Sequence, residues 1–363
     1  MGLFSNLRRG QPPSLFKKEA LREIPYFRAA YIGLAIGAVL FAGVIVWHGI
    51  GDLLVTLRRA GWGMIAIAFL HLPSLWADAL GWRNLFPPGK RPPRRTMLQG
   101  RWIGESINDL LPVLQMGGNL VKAWLLSSRG VEVGQAGASV IVDVTVVVIT
   151  QILFTLLGIG LVAPTLGGKE SLLVILVGTF ILSVILLGFY AAQRRGFMRI
   201  VVQVSRKILG PLEWVSVSHG AAKIDSEVLL LYGERRLLLA SGFWHILSWF
   251  LGVAEVWFGL RLLGHPVDFG TALLFESLGQ AIRTGAFAVP GALGVQEGGY
   301  ILVGGALGIE PSISLALSIA RRVRELLLGL PGLAFWQAST LHRIFLKGIR
   351  DRATASSGSG DTL

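Results

Sequence analysis

AIRTGAFAVPGALGVQEGGYILVGGALGIEPSISLALSIARRVR, residues 281–324, is the stretch from which the rest of the chain is read. It is mostly apolar, yet Arg283, Glu297, Arg321, Arg322 and Arg324 lie inside it and Glu325 follows directly. Pro290, Gly291, Gly294, Gly298 and Gly299 cut its middle, where an ordinary spanning helix would be continuous. Broken backbone and charge are tolerated at membrane depth only when buried in protein or lining a wet cavity. The stretch therefore reads as a re-entrant hairpin with a span after it, and as part of a site.

Working outward, the chain has 363 residues, 53% of them hydrophobic, and a mean hydropathy of +0.63. Several near-uncharged runs reach about 18 residues, the length that crosses a bilayer. The expected class is an all-α polytopic integral membrane protein, since a transmembrane barrel would alternate apolar and polar residues. Spans are expected at 29–47, 62–82, 135–162, 171–192, 237–263 and 312–336, which makes about six, plus two re-entrant hairpins. One transmembrane domain, 1–342, is expected, with a basic lead-in at 1–28, an amphipathic cytoplasmic segment at 193–236 and a polar tail at 343–363. The first span reads as an uncleaved anchor.

A net charge of +13 raises nucleic acid as a partner, but the lysines and arginines gather in loops between apolar runs. Arg83, Lys90, Arg91, Arg94, Arg95 and Arg101 follow one another without an acidic residue. That is the positive-inside pattern, so no nucleic-acid partner is expected and both termini are placed on the cytoplasmic side of a bacterial inner membrane. The chain has no cysteine, and its six histidines show no metal-ligand spacing. No zincin, nucleophile-elbow, P-loop or dinucleotide motif is present. The expectation is a protein that is not an enzyme and needs no metal or cofactor.

A second broken region, WIGESINDLLPVLQMGGNLVKAWLLSSRGVEVG at 102–134, mirrors the first. Glu105, Asn108, Asp109, Pro112, Gly117, Gly118, Asn119 and Lys122 make it too polar to cross as a regular helix. Pro112 precedes Gly130-Val131-Glu132 by the interval that separates Pro290 from Gly308-Ile309-Glu310. In that register Glu105 falls opposite Arg283, Asn119 opposite Glu297 and Asp143 opposite Arg321. The expected arrangement is an inverted repeat with a site at its interface, in which Arg283 pairs with Glu105 and Arg321 with Asp143. His71, Pro73 and Asp78 read as helix-packing or interfacial residues.

At residues 108–130 and 289–309 the chain resembles the flippase-like family built on the transmembrane region of lysylphosphatidylglycerol synthase. Within it, ESLGQAIRTGAFAVPGALGVQEGG is similar to the hopanoid-biosynthesis-associated HpnL proteins. The resemblance implies movement of a membrane lipid or lipid-linked substrate between leaflets, or its delivery onward. Lipid aminoacylation is not expected, because no soluble catalytic domain has a counterpart in these residues. Carried onto the motifs, the candidate site comprises Asn108, Pro112, Gly117, Gly118, Asn119, Lys122, Asp143, Arg283, Pro290, Gly291, Gly294, Glu297 and Arg321. Glu105, Arg322, Arg324 and Glu325 join them on charge alone. Two other classes stay open: a scaffold for lipid-biosynthesis enzymes and a membrane-embedded lipid-modifying enzyme. Coupling to protons or ions through Asp143 or Glu297, downhill scrambling, and the oligomeric state are likewise open.

Overall fold

The computed structural model describes residues 61–111, 117–162, 214–286 and 289–357, with isolated positions at 39 and 191. Among these residues there are nine α-helices and no strand. They are α1 (Gly63–Asn84), α2 (Arg94–Leu110), α3 (Gly117–Ser127), α4 (Val133–Val162), α5 (Trp214–Gly233), α6 (Arg235–Leu262), α7 (Phe269–Gly285), α8 (Val295–Ala306) and α9 (Pro311–Ser357). A 3-10 turn, Pro290–Ala292, lies between α7 and α8.

Three described helices are long and apolar enough to cross a membrane: Ile65–Asn84 of α1, Val133–Gly160 of α4 and Arg235–Leu262 of α6. They fall where spans were expected. The expected final span lies on α9, which carries Arg321, Arg322, Arg324 and Glu325 in its interior and continues to Ser357, into the stretch read as a polar tail. The expected lead-in, the expected spans at 29–47 and 171–192, and Pro112 lie outside the described residues.

Of the two broken regions, the one at 281–324 is a helix–break–helix unit, and the described parts of the other are the helices α2 and α3. Asn108, in the last turn of α2, accepts the Gly118 N–H at 2.8 Å, so a side chain from one arm satisfies a free donor at the start of the other. In the second unit Glu297 turns back to accept the Gly294 N–H at 2.7 Å, closing the first turn of α8. The backbone between the arms is left-handed at Gly291, Ala292 and Gly294, with φ of 59°, 49° and 76°. Ala292 is a fully buried non-glycine residue in that region, a conformation that persists only where its surroundings hold it. Arg322 does so by donating to the Gly291 carbonyl at 2.5 Å and the Ala292 carbonyl at 3.3 Å. Outside the spans, Asp268 caps α7 by accepting from the Thr271 hydroxyl and N–H, bonds that hold its carboxyl below the usual aspartate range.

The two long helices α1 and α6 pack against each other along a polar seam. His71 meets Glu255 at 3.3 Å, Ser74 meets Ser248 at 2.7 Å, and Asp78 meets His245 at 2.8 Å. Numbers rise on one helix as they fall on the other, so the helices are antiparallel. Apolar clusters pack on both sides. One gathers Val253, Val256 and Leu260 with Leu273, Phe275 and Leu317, and the other Trp82, Leu85 and Met97 with Leu126, Val142 and Ile224.

Helix boundaries recur at one interval. The ends of α1 and α6, Asn84 and Leu262, are 178 residues apart; so are the starts of α4 and α9, Val133 and Pro311. Packing recurs with them, because α2 lies on α9 as α7 lies on α4.

Close approach within the first unit rests on Gly118, where an added Cβ would run into the Gly104 carbonyl oxygen, whereas the same position on Gly298 opens onto free space. Gly118→Ala is expected to destabilise the detergent-purified protein by about 1–3 kcal/mol, as overpacking does, and Gly298→Ala to leave it unharmed. Thermal unfolding of the two variants side by side checks this.

Candidate functional site

The charged residues inside the bundle gather into two clusters, one at each end of the α1–α6 seam. At the Asp78 end five helices contribute. Lys122 of α3 donates to Asp143 of α4 at 2.9 Å and lies 4.8 Å over the Trp82 ring. Arg101 of α2 donates to Asp78 at 2.8 Å and stands 3.7 Å from Asp143. His245 of α6 lies between the carboxylates, Nδ1 at 2.8 Å from Asp78 and Nε2 at 3.1 Å from Asp143. Asn119 accepts from Lys122 at 3.3 Å. Asp143 and His245 are sealed, while Asp78 and Arg101 are partly exposed.

The second cluster alternates sign along a chain of contacts. Arg321 of α9 is almost fully buried and donates to Glu276 of α7 and the Tyr300 hydroxyl of α8, with Glu255 of α6 at 3.3 Å. Arg324 donates to Glu255, and His71 stands 2.8 Å from Glu105 of α2. Arg283 of α7 donates to Asp109 at 2.8 Å, Glu325 at 2.5 Å and Gln296 at 2.9 Å. Arg322 pairs with Glu297 and with Glu325, each at 2.9 Å. Charges taken out of water are stable only when paired and hydrogen-bonded, and each of these guanidiniums has at least one carboxylate partner.

Where α2 meets α1 and α9 the cluster opens into a small cleft, with room for about one water, lined by His71, Trp102, Glu105, Asp109, Arg324 and Glu325. Glu105 is its most exposed acid, at 28%. Gly291 of the second break packs against the Asp109 carbonyl, so the end of α2 and the second break converge beside it. No group of residues suited to hold a metal ion occurs among the described residues.

A family model describing the lysylphosphatidylglycerol synthase transmembrane region matches residues 32–332, which takes in α1 to α8 and the first part of α9. The chain belongs to that family. No curated protein and no solved structure matches the chain. Family membership and the three apolar helices make it a membrane protein with a lipid-related role.

Within this member of the lysylphosphatidylglycerol synthase transmembrane family, the candidate residues divide. Lys122 and Asp143, with Asn119 beside them, fall in the first cluster, and Glu105, Arg283, Glu297, Arg321, Arg322, Arg324 and Glu325 in the second. Asn108, Gly118, Gly291 and Gly294 shape the breaks; Gly117 opens α3 and Pro290 the 3-10 turn. The expected pairings are corrected. Arg283, in the last turn of α7, reaches Asp109 in the last turn of α2, and Glu105, one turn earlier, is held by His71. Asp143 faces α3 and α6 while Arg321 faces α7 and α8, which separates them into different clusters.

Sequence reasoning left His71, Asp78, Arg101 and His245 out of the site, reading His71 and Asp78 as helix-packing or interfacial residues. A signal was present for most of them. His71 and Asp78 are seven residues apart on α1, and His245, Ser248, Gly252 and Glu255 follow helical spacing on α6, so each set marks a polar stripe on one face. Arg101 hid at the end of a basic run.

Arg321→Leu leaves Glu276 and Glu255 short of a buried counter-charge and is expected to lower stability by about 3–5 kcal/mol. Arg321→Leu combined with Glu276→Leu should recover part of that loss, because the pair leaves together. Unfolding midpoints of the two variants in the same detergent decide the matter.

Proposed function

We propose that this protein moves a lipid or lipid-linked molecule between the leaflets of a bacterial inner membrane. The observation that carries the reading is the cleft. Side chains of both signs, on α1, α2 and α9, surround a water-sized opening among apolar helices, where the break between α7 and α8 also arrives. A polar headgroup crossing a bilayer needs such a lining, because hydrocarbon leaves its hydrogen bonds unmet. The headgroup enters beside Glu105 and Asp109 with its tails in lipid, while Arg321, Arg322 and Glu297 hold the walls.

In this reading α2–α3 and α7–α8 are re-entrant hairpins of an inverted repeat. The 178-residue interval between helix boundaries supports the repeat. The inversion is supported by α1 and α6, which hold equivalent places in it and run antiparallel. Lys122–Asp143 and Tyr300–Arg321 are hydrogen-bonded pairs at equivalent positions. Folds built this way place substrate at the interface between the halves and work by rocking one against the other. The likeness of residues 276–299 to HpnL proteins makes a hopanoid the first lipid to test. The termini lie on the cytoplasmic side.

In proteoliposomes carrying a labelled hopanoid or phospholipid analogue, the protein is expected to speed transfer between leaflets. Glu105→Gln and Asp109→Asn should slow it about tenfold or more, equivalent to about 1.4 kcal/mol on the barrier. Leu302→Ala, an exposed apolar position, should not. Transfer no faster than in empty liposomes, or unaltered in the two cleft variants, removes this reading.

A further inference from the structure

The cleft leaves the opposite end of the seam without a role. There His245 presents both ring nitrogens to carboxylate oxygens, Asp78 at 2.8 Å and Asp143 at 3.1 Å, and its side chain is 1% exposed. A neutral imidazole has one N–H, so its other nitrogen would turn a lone pair toward a carboxylate. Arg101 donates to Asp78 and Lys122 to Asp143, so both acids already serve as acceptors of a cation's hydrogen bond. Hydrogen bonding therefore asks for the imidazolium. Charge balance asks for the opposite. Arg101 and Lys122 already match Asp78 and Asp143, and a charged His245 adds an uncompensated positive charge in a buried place. The two requirements oppose each other at one nitrogen.

Asp78 of α1 and Asp143 of α4 meet the His245 ring, and Arg101 of α2 and Lys122 of α3 stand behind them, each paired with those carboxylates. Charged groups of α7 and α9 reach the seam at its other end, around Glu255, ten residues further along α6. The cluster is open on one side and closed on the other. Asp78 and Arg101 are partly exposed at 16% and 20%, while Asp143 and His245 are closed off.

We propose that Asp78, His245 and Asp143 form a proton-exchange site, and that the proton held there sets how firmly α6 is fastened to α1 and α4. His245 is the residue by which α6 joins this cluster; the other four members lie on α1 to α4. When the ring is charged it bridges α1 and α4. When it is neutral, one bridge is lost and α6 is freer to slide along the seam. Asp78 and His71 are seven residues apart on α1, about 10 Å, so the same seam carries the change to the cleft. This last step, by which a proton drives lipid movement, rests on the translocase reading; the proton site itself does not.

The test uses the full chain in nanodiscs with its six histidines labelled with 15N. Spectra are recorded between about pH 5 and 8, and the His245 ring is assigned by its loss in His245→Gln. The ring is expected to pass between imidazolium and neutral imidazole in that range, and Asp78→Asn should move the step to lower pH by about one unit. A ring pinned in one form throughout, or a step that Asp78→Asn leaves in place, overturns the site. In proteoliposomes an imposed proton gradient should accelerate lipid transfer by the native protein, and His245→Gln and Asp78→Asn should lose that acceleration whatever their basal rates. Acceleration kept in both variants overturns the coupling and leaves the translocase reading standing. If no lipid moves with any protein, the translocase reading and the coupling with it fall, and the proton site is decided by the spectra.

Discussion

The seam between α1 and α6 is the constraint on which the rest of the structure depends. Inside a bilayer two apolar helices gain little by meeting, since lipid tails are as apolar as leucine, so register has to come from packing and hydrogen bonds. His71–Glu255, Ser74–Ser248 and Asp78–His245 supply it at successive turns. Sliding one helix past the other by a turn would strand all of these buried polar groups at once. Shape and pairing agree along the seam. Gly81 lies against the His245 ring and Gly252 against the Glu276 carboxylate, so the helices approach where the larger side chains need room.

Charge distribution at the Glu255 end changes what the arginines can do. Arg283, Arg321, Arg322 and Arg324 share a cluster with Glu105, Asp109, Glu255, Glu276, Glu297 and Glu325, so carboxylates outnumber guanidiniums. Planar guanidiniums suit phosphate, but each of these already donates to a buried acid, and Arg322 also holds the carbonyls of the strained turn. An incoming anion would have to displace a carboxylate that has nowhere else to go. The arginines thus act first as the framework of the cleft, fastening α9 to α6, α7 and α8. The groups left facing the opening are mainly acidic.

The class of fold, the apolar helices α1, α4 and α6, and the break at Pro290–Gly294 were readable from apolar run length and from proline and glycine, because these signals are local. The charged residues of 281–325 were also recognised, since charge within an apolar stretch stands out. Their partners were not. Pairing Arg283 with Glu105 follows from aligning two regions in sequence, whereas the contact with Asp109 depends on where the ends of α7 and α2 come to lie, a tertiary matter. Arg101 shows the limit most plainly. Beside five other basic residues it looks like a topology signal, and only the fold turns it inward to Asp78. His71 and His245 were visible as stripes of polar residues at helical spacing, but a stripe gives a face and not the helix that covers it.

In the proposed repeat the framework recurs and the chemistry does not. Lys122 and Asp143 correspond in register to Tyr300 and Arg321, so an ion pair in one half becomes a hydroxyl and a guanidinium in the other. His245 corresponds to Ile67, a fully buried apolar residue, and the proton-exchange arrangement has no counterpart across the pseudo-symmetry. Two copies of one scaffold that kept the same charges would place like groups opposite each other near the axis, which is unfavourable in a low dielectric. Divergence lets each half neutralise the other: α6 brings His245 to Asp143, and α1 and α2 bring His71, Glu105 and Asp109 to the arginines of α7 and α9. Neither cluster is complete within one half. In the proposed repeat, rocking one half against the other would remake both clusters, and α1 and α6, which join them, are the elements that link the two.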